Sequence, residues 1–236
     1  MEKKAARRFY KKVESTSQGD GHIVTLDGRV LKTPAKADLI LPNQALADAI
    51  AGEFDAQSAK IVPETMPIFS LASTVIDRIM TQRQVLDDEM VRYGLGDLIC
   101  YHCDQKEDEN LASRQAQKWG TVQAWLAQRY DINLAIFTGI MPQTQSQDVA
   151  KKLPPIISAI DDWSYLGLYR VTTLSGSLAL GLGFVEKHYN VDDVMALAFL
   201  DELYQEEKWG ADSFAVERRD NIQREIADAA KFLKTL

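Results

Sequence analysis

The sequence contains 236 residues, of which 46% are hydrophobic and 26% are charged, and its formal net charge at neutral pH is −7. This composition is typical of a soluble globular protein, and the length is enough for one large or two small domains. The negative charge argues against a nucleic-acid-binding protein, because such proteins neutralise phosphates with Lys and Arg. The chain has only two cysteines, too few for a disulfide framework, so we expect a reducing compartment.

No apolar run approaches the roughly 20 residues that span a bilayer, so we expect no membrane insertion. The basic start, MEKKAARRFYKK, has no apolar core like that of a signal peptide, and it continues directly into strand-like sequence. We therefore expect a cytoplasmic protein without a removable targeting segment.

The first 66 residues are predicted to form a small antiparallel β-rich domain. Short runs favour strands at 9–15, 22–26, 29–33 and 38–41. Asp27 and Gly28 separate the second run from the third, and an Asp-Gly pair is typical of the two-residue type I′ hairpin because both positions need positive φ. A helix is predicted at 43–57, and we expect it to cover the sheet with one apolar face that contains Leu46, Ile50 and Phe54.

The remaining residues, 67–236, are predicted to form a larger, all-helical domain. Apolar residues at helical spacing indicate helices at about 69–80, 83–93, 110–130, 154–163, 171–188, 191–209 and 213–233. Residues 132–138 favour a single strand, and 143–147 is the most loop-like segment. The expected fold class is therefore α+β, with a β-rich domain at 1–66 followed by a helical domain at 67–236.

The predicted helix at 191–209 and the corner after it are the most informative part of the chain. Asn190 can cap the start of this helix, and no glycine or proline interrupts it before Gly210, where we expect a left-handed C-terminal cap. Asp212 can cap a second helix. Apolar residues point almost all the way round the first helix, which is typical of a helix buried among others.

A charged stripe nevertheless remains on this helix. It consists of Asp201, Gln205 and Lys208, with Glu202, Glu206 and Trp209 beside them. The stripe is interpreted either as the solvated edge of a core helix or as a polar contact surface for a partner. Carboxylates are rarely buried unless they are paired. We therefore expect these side chains to be exposed in a groove or paired with Arg218 or Arg219 across the corner.

The segment Cys100-Tyr101-His102-Cys103 is the first candidate for chemistry. A CxxC redox site stands at the head of a helix that follows a strand, whereas helical sequence precedes this segment. A zinc site would need two more ligands at a suitable spacing, and the other histidines, His22 and His188, are distant in sequence. We interpret both cysteines as structural and expect no bound metal.

The clustered carboxylates of the 191–209 helix are the second candidate. Carboxylate di-iron bundles use a Glu-x-x-His pattern, and this helix contains no histidine. A glycosidase needs two carboxylates across a cleft, which one helix cannot show. The chain also has neither a phosphate-binding loop nor a dinucleotide-binding glycine pattern, so we expect no cofactor. The absence of catalytic motifs favours a binding or assembly role.

Several motifs, in this order and spacing, resemble one known family over nearly the whole chain. They are Arg8-Phe9-Tyr10, Leu26-Asp27-Gly28-Arg29, Lys32-Thr33-Pro34, Glu53-Phe54-Asp55-Ala56-Gln57, Asp97-Leu98-Ile99-Cys100-Tyr101, Gly176-Ser177-Leu178, Asp201-Glu202, Gln205 and Trp209-Gly210. The family is that of the assembly chaperones for the catalytic sector of the F-type ATP synthase, in the branch that binds the alpha subunit (the "Atp-twelve" type). At the position of Phe54 the family usually has Trp.

The resemblance implies a chaperone that has no enzymatic activity and binds no nucleotide, and we expect the protein to be monomeric. Such a chaperone would hold the unassembled alpha subunit until the beta subunit replaces it, in the bacterial cytoplasm or, for an organellar relative, in the mitochondrial matrix. We expect the contact surface to contain Asp201, Glu202, Gln205, Trp209 and Asp212. Two alternatives remain open, namely an enzyme of unknown type that uses the acidic helix 191–209 in a cleft, and a structural subunit of an oligomer.

Overall fold

The computed structural model of the protein describes residues 7–139 and 143–236. The chain divides into two compact units. Unit 1 consists of the described residues through Arg83 together with Asp228–Leu236, and unit 2 is Gln84–Ala227. The compact units therefore divide the chain at other residues than the predicted boundary at 66/67, which stays a prediction about domains. The last residues of the chain belong to unit 1.

Unit 1 contains a three-stranded antiparallel sheet in the order β1-β2-β3, with β1 at Val13–Gln18, β2 at Gly21–Leu26 and β3 at Arg29–Val30. Leu26 pairs with Arg29, so Asp27 and Gly28 form the two-residue turn, and their φ angles are 50° and 77°. Both angles are positive, as a type I′ turn requires, and the predicted hairpin is confirmed. β3 is shorter than predicted, and the strand predicted at 38–41 is reduced to isolated bridges.

One helix, α1, covers this sheet, as predicted. α1 lies at Gln44–Asp55 and packs on β1 and β2. Asn43 caps its start, since its side-chain oxygen accepts a hydrogen bond from the Leu46 N–H at 2.8 Å. Leu46, Ile50 and Phe54 are all buried. Each such side chain removed from water contributes on the order of 1.5–3 kcal/mol, so this one face holds the small sheet and its helix together.

Unit 1 also contains the helix that leads towards unit 2. α2, at Pro67–Thr74, continues through a π-helical turn into α3, at Met80–Leu95, which is kinked at Gln82. The helices predicted at 69–80 and 83–93 therefore exist, but no loop separates them. The Glu53 carboxylate holds the start of α2 by accepting hydrogen bonds from the N–H groups of Ile68 (2.7 Å) and Phe69 (2.8 Å).

Unit 2 is built mainly from helices. In chain order they are the part of α3 from Gln84 onward, α4 (Glu109–Tyr130), α5 (Gln147–Ser158), α6 (Asp162–Ser175), α7 (Leu178–Val185), α8 (Val191–Ala198), α9 (Leu200–Trp209) and α10 (Ser213–Leu233), whose final residues belong to unit 1. β4 (Tyr101–His102) pairs in parallel with β5 (Phe137–Thr138), which lies within the predicted strand at 132–138. Unit 2 is therefore not purely helical. Over residues 7–139 and 143–236, no helix combines the length and the hydropathy needed to cross a bilayer.

The bounds of the helices predicted at 154–163 and 171–188 are wrong, because the first range is shared by α5 and α6, and Gly176 divides the second between α6 and α7. In the structure Pro154 and Pro155 lie inside α5, which begins after the Ser146 cap. α5 buries three apolar side chains on one face, Val149, Leu153 and Ile157, and this packing outweighs the hydrogen bonds that the prolines cannot donate.

The turn between α6 and α7 is built around a buried carboxylate. Gly176 ends α6 in the left-handed conformation (φ 77°, ψ 11°), and Ser177 caps α7. Asp97, which is 1% exposed, accepts hydrogen bonds from the N–H groups of Ala179 (2.9 Å) and Ile99 (3.2 Å). Burial raises the pKa of Asp97 to about 6, and the hydrogen bonds that it accepts oppose the rise. The carboxylate thus fixes the start of α7 to the segment before β4.

Candidate functional site

The helix predicted at 191–209 is in fact two helices, α8 and α9. Asn190 caps α8 as predicted, and Asp193 completes a capping box with it. The chain then breaks at Phe199, whose backbone (φ −106°, ψ 21°) is not helical. Next to the break, the Trp119 indole N–H donates a buried hydrogen bond to the Leu197 carbonyl at 2.9 Å. A side chain from α4 thus donates a hydrogen bond to a backbone carbonyl in the last turn of α8.

α9 ends in a sharp corner that requires glycine. Gly210 has φ 88° and ψ 164°, so its φ is positive, as predicted, but its ψ is not that of a left-handed cap. This backbone region is accessible almost only to glycine. Asp212 then caps α10, since its carboxylate accepts from the Phe214 N–H at 3.0 Å. The corner therefore sets α10 directly after α9 with a fixed start.

A groove of about 480 Å³ lies between α9 and the first turns of α10, and we call it the acidic groove. It is lined by all of the residues predicted for partner binding and by five more, and the lining is Asp201, Glu202, Gln205, Glu206, Trp209, Gly210, Asp212, Ala215, Arg218 and Arg219. Asp201 and Glu202 are half-buried, whereas Gln205, Trp209 and Asp212 are exposed. The fold brings the predicted residues to one surface, and their role in binding stays a prediction.

Two arginines of α10 pair with two carboxylates of α9 in this groove. Arg218 and Arg219 both bind Glu202, the latter at 3.4 Å, and Arg219 also binds Glu206. Arg219 is only 9% exposed, so its charge depends on these carboxylates. The sequence presented exposure in a groove and pairing with the arginines as alternatives, and Glu202 does both.

Asp201 has a different environment from Glu202. One of its oxygens accepts from the Gln115 side-chain amide at 2.8 Å. Gln115 is 1% exposed, and its carbonyl oxygen accepts from the Cys103 N–H at 2.7 Å. Burial raises the pKa of Asp201, and the Gln115 hydrogen bond and the nearby His102 oppose this. Asp201 is therefore held in position by a neutral amide, and it forms no salt bridge with a Lys or Arg of the described residues, although His102 lies nearby. The local sequence pattern gave no signal for Gln115, because it lies on α4.

The acidic groove has an excess of negative charge. Its lining contains four carboxylates and two guanidinium groups. Lys208, which helical spacing places on the same stripe, does not line the groove, and its Nζ pairs with Asp108 at 2.7 Å and lies 5.8 Å from the centre of the Trp209 ring. A cationic group that entered the groove would reduce this excess of negative charge.

Two aromatic side chains stand exposed at the corner. Trp209, the last residue of α9, is 74% exposed, and Phe214, near the start of α10, is 80% exposed. We call these two residues the aromatic corner. Trp209 was among the predicted site residues, whereas Phe214 was not, although its position directly after the Asp212 cap could have indicated it. Exposed aromatic side chains are frequent anchors of protein interfaces.

The CxxC segment shows no sign of activation. Cys100 and Cys103 are both free, and Cys100 is buried. Burial raises the pKa of both thiols, so neither is held as a reactive thiolate. Among the residues that the structure describes, no group of three or more His, Cys, Asp or Glu side chains is placed to hold a metal ion.

Known proteins resemble this chain in both sequence and structure. Residues 7–127 match the family model described as ATP12 chaperone protein. The crystal structure of Atp12 from Paracoccus denitrificans has a TM-score of 0.93 and 33% identity, with 98% of both chains covered. The structure of a point mutant of P. denitrificans Atp12p gives the same TM-score at 32% identity, with 98% of this chain and 97% of that chain covered. Protein atp12, mitochondrial, of Schizosaccharomyces pombe is 24% identical over 95% of this chain and 81% of its own length.

These similarities agree with the fold. The α+β class predicted from the sequence, with a small antiparallel sheet followed by helices, is confirmed by the structure and by its likeness to the Atp12 crystal structures. The family model also spans the quoted motifs from Arg8 to Tyr101. The chain therefore belongs to the ATP12 family of ATP synthase assembly chaperones.

Proposed function

We propose that this protein binds the unassembled alpha subunit of the ATP synthase catalytic sector and prevents its aggregation until the beta subunit replaces it. The observation that carries the proposal is the acidic groove, which brings Asp201, Glu202, Gln205, Trp209 and Asp212 to one surface of an ATP12-family chaperone. The contact residues are these five. The protein acts as a monomer, without a cofactor, in the cytoplasm.

Such a chaperone must cover the assembly interface of a subunit that has not yet bound its partner. Interfaces between obligate subunits are large and apolar, and a subunit without its partner exposes one. Surfaces of this kind aggregate at cellular concentrations. A protein that binds the exposed surface reversibly suppresses this aggregation by mass action and needs no energy source. Since the true partner must be able to displace it, a partly polar contact surface suits the task.

The environment of the carboxylates favours binding over catalysis. Glu202 and Glu206 are engaged by Arg218 and Arg219, and Asp201 is held by an amide. An acid–base pair on this helix would need two carboxylates free to exchange protons with a substrate, whereas Glu202 and Glu206 are engaged by arginines and Asp201 by an amide. We therefore propose no enzymatic activity for the groove.

The first experiment is co-purification of the full chain with the alpha subunit, followed by a charge reversal. Glu202→Lys should weaken alpha-subunit binding by at least about tenfold, because it places a cation against a basic contact. The same change should lower the free energy of unfolding by only about 1–2 kcal/mol, since the Glu202–Arg218 pair is largely exposed and Arg219 keeps Glu206.

Glu207→Lys is the matched control. Glu207 lies on the same helix and pairs with Arg114 at 2.8 Å, outside the acidic groove. The control changes the net charge by the same amount, so it should lose a similar stability and keep its binding. Equal loss of binding in the two variants would mean that only overall charge matters. Normal folding and binding of Glu202→Lys would remove the acidic groove from the mechanism.

A further inference from the structure

The aromatic corner contains the two most exposed large hydrophobic side chains among the described residues, Phe214 and Trp209. They are separated only by the Gly210 corner and the Asp212 cap. The backbone angles of Gly210 define the end of α9, which carries Trp209, and the hydrogen bond from the Phe214 N–H to Asp212 defines the start of α10, which carries Phe214. Both rings are therefore presented by a defined turn between two helices. Such rigid presentation reduces the conformational entropy that is lost when a partner binds.

The surface next to Trp209 is charged, and the charge is unbalanced. Trp209 belongs both to the aromatic corner and to the acidic groove. Within the groove, Glu202 and Glu206 pair with arginines, whereas Asp201 accepts a hydrogen bond from a neutral amide, has His102 nearby and forms no salt bridge with a Lys or Arg of the described residues. Asp201 is also half-buried, so it interacts with an incoming cation more strongly than an exposed carboxylate does. An apolar surface thus adjoins a site that favours a positive charge.

We propose that the aromatic corner and the acidic groove together bind a segment in which a Lys or Arg is flanked by bulky apolar side chains. The cationic side chain lies in the groove against Asp201, and the apolar neighbours pack on Trp209 and Phe214. This inference rests on the proposed function, because it names the kind of client segment that the site recognises. The charge of the acidic groove disfavours acidic segments. The aromatic corner disfavours basic segments that have no apolar side chains.

The proposed segment can be tested directly with synthetic peptides and the full chain. Fluorescence anisotropy compares a labelled peptide that has a central Arg flanked by Leu residues with two altered peptides, one with Glu in place of the Arg and one with Ser in place of each Leu. The wild-type protein should bind the Arg–Leu peptide at least about tenfold more tightly than either altered peptide. Equal affinity for the Glu or the Ser peptide would overturn the inference.

Variants separate the two parts of the surface. Trp209→Ala and Phe214→Ala should each weaken binding of the Arg–Leu peptide by about tenfold, and the loss should persist at about 1 M salt, where the Debye length is roughly 3 Å. Asp201→Asn should weaken binding at low salt and have little effect at high salt. Trp209→Phe should retain most of the affinity, which shows that the loss in the Ala variant is not misfolding. Unchanged affinity in Trp209→Ala and Phe214→Ala would refute the role of the aromatic corner.

The matched control is Phe9→Ala. Phe9 is also an exposed aromatic residue, at 73%, but it lies in unit 1, and its replacement should leave peptide binding unchanged. The same variants are then measured against the isolated alpha subunit. If the wild-type protein binds the peptide but not the alpha subunit, the proposed function fails and the segment preference stands. If the aromatic variants bind the alpha subunit as the wild type does, the proposed function stands and this inference fails.

Discussion

Replacing Asp97 with asparagine should change how the stability of unit 2 depends on pH. Asp97 is fully buried, and its carboxylate accepts from the N–H groups of Ile99 and Ala179. Burial is the largest cause of its raised pKa, and the hydrogen bonds only partly compensate. The folded protein therefore holds this proton more tightly than the unfolded chain does. The asparagine variant has nearly the same shape and no proton to lose.

The size of the effect follows from the two pKa values. The pKa is about 6 in the folded protein against an ordinary value of 3.8, and each pKa unit corresponds to about 1.4 kcal/mol, so the difference amounts to about 3 kcal/mol. Because the folded-state pKa is the higher one, the contribution to stability is complete below pH 3.8 and is lost as the pH rises through 6. The stability of the wild type relative to Asp97→Asn should thus fall by about 2 kcal/mol between pH 4 and pH 7, because at pH 4 the unfolded chain is already partly protonated at this residue.

Tryptophan fluorescence during urea unfolding is a suitable assay. All four tryptophans of the sequence lie in Gln84–Ala227, so the emission reports on unit 2 alone. Asp131→Asn provides a control with the opposite sign, because a hydrogen bond from Lys152 lowers the pKa of Asp131. Its contribution is present above pH 3.8 and is lost as the pH falls. The role assigned to burial would be refuted if the free energy of unfolding of the wild type, relative to that of Asp97→Asn, stayed constant or grew as the pH rises.

Two further predictions concern unit 1 and the CxxC segment. Gly28→Val should destabilise unit 1 by about 1–2 kcal/mol, because a β-branched residue resists the φ of 77° in the hairpin, whereas the stability of Gly28→Asn should stay close to that of the wild type. Hydrogen exchange of the Leu26 amide measures both effects. Equal protection of this amide in all three proteins would contradict the turn assignment. Cys103→Ser should keep the melting temperature of the wild type and the proposed binding of the alpha subunit, since neither thiol is activated. One equivalent of bound zinc, or activity that depends on redox state, would show that the cysteines are functional.

The acidic groove could be located from the sequence because its geometry depends on local rules. Helical spacing places Asp201, Glu202 and Gln205 within one turn, and the Asp212 cap begins the next helix where Arg218 and Arg219 can reach back. Both rules act over a few residues, and they are visible in one sequence.

The features that were missed depend on contacts between distant residues. No glycine or proline marks the break at Phe199, and the hydrogen bond beside it comes from Trp119, which is 78 positions from its acceptor. Gln115, which holds Asp201, is 86 positions away from it. In both cases tertiary packing decided against the local signal. The start of α5 at Gln147 was also missed, although the Ser146 cap before it is a local signal.

The discontinuity of unit 1 has a consequence for the order in which the protein folds during its synthesis. Phe232 and Ala229 are fully buried, and the Asn43 side chain donates to the Leu236 carbonyl at 3.4 Å, so α1 and its neighbours need the last residues of the chain. At the usual rate of about 5–20 residues per second, the intervening residues take roughly 10–30 s to translate. All residues of unit 2 are therefore available before unit 1 can complete its core. The N-terminal sheet, although it is made first, is expected to be the last part to reach full stability.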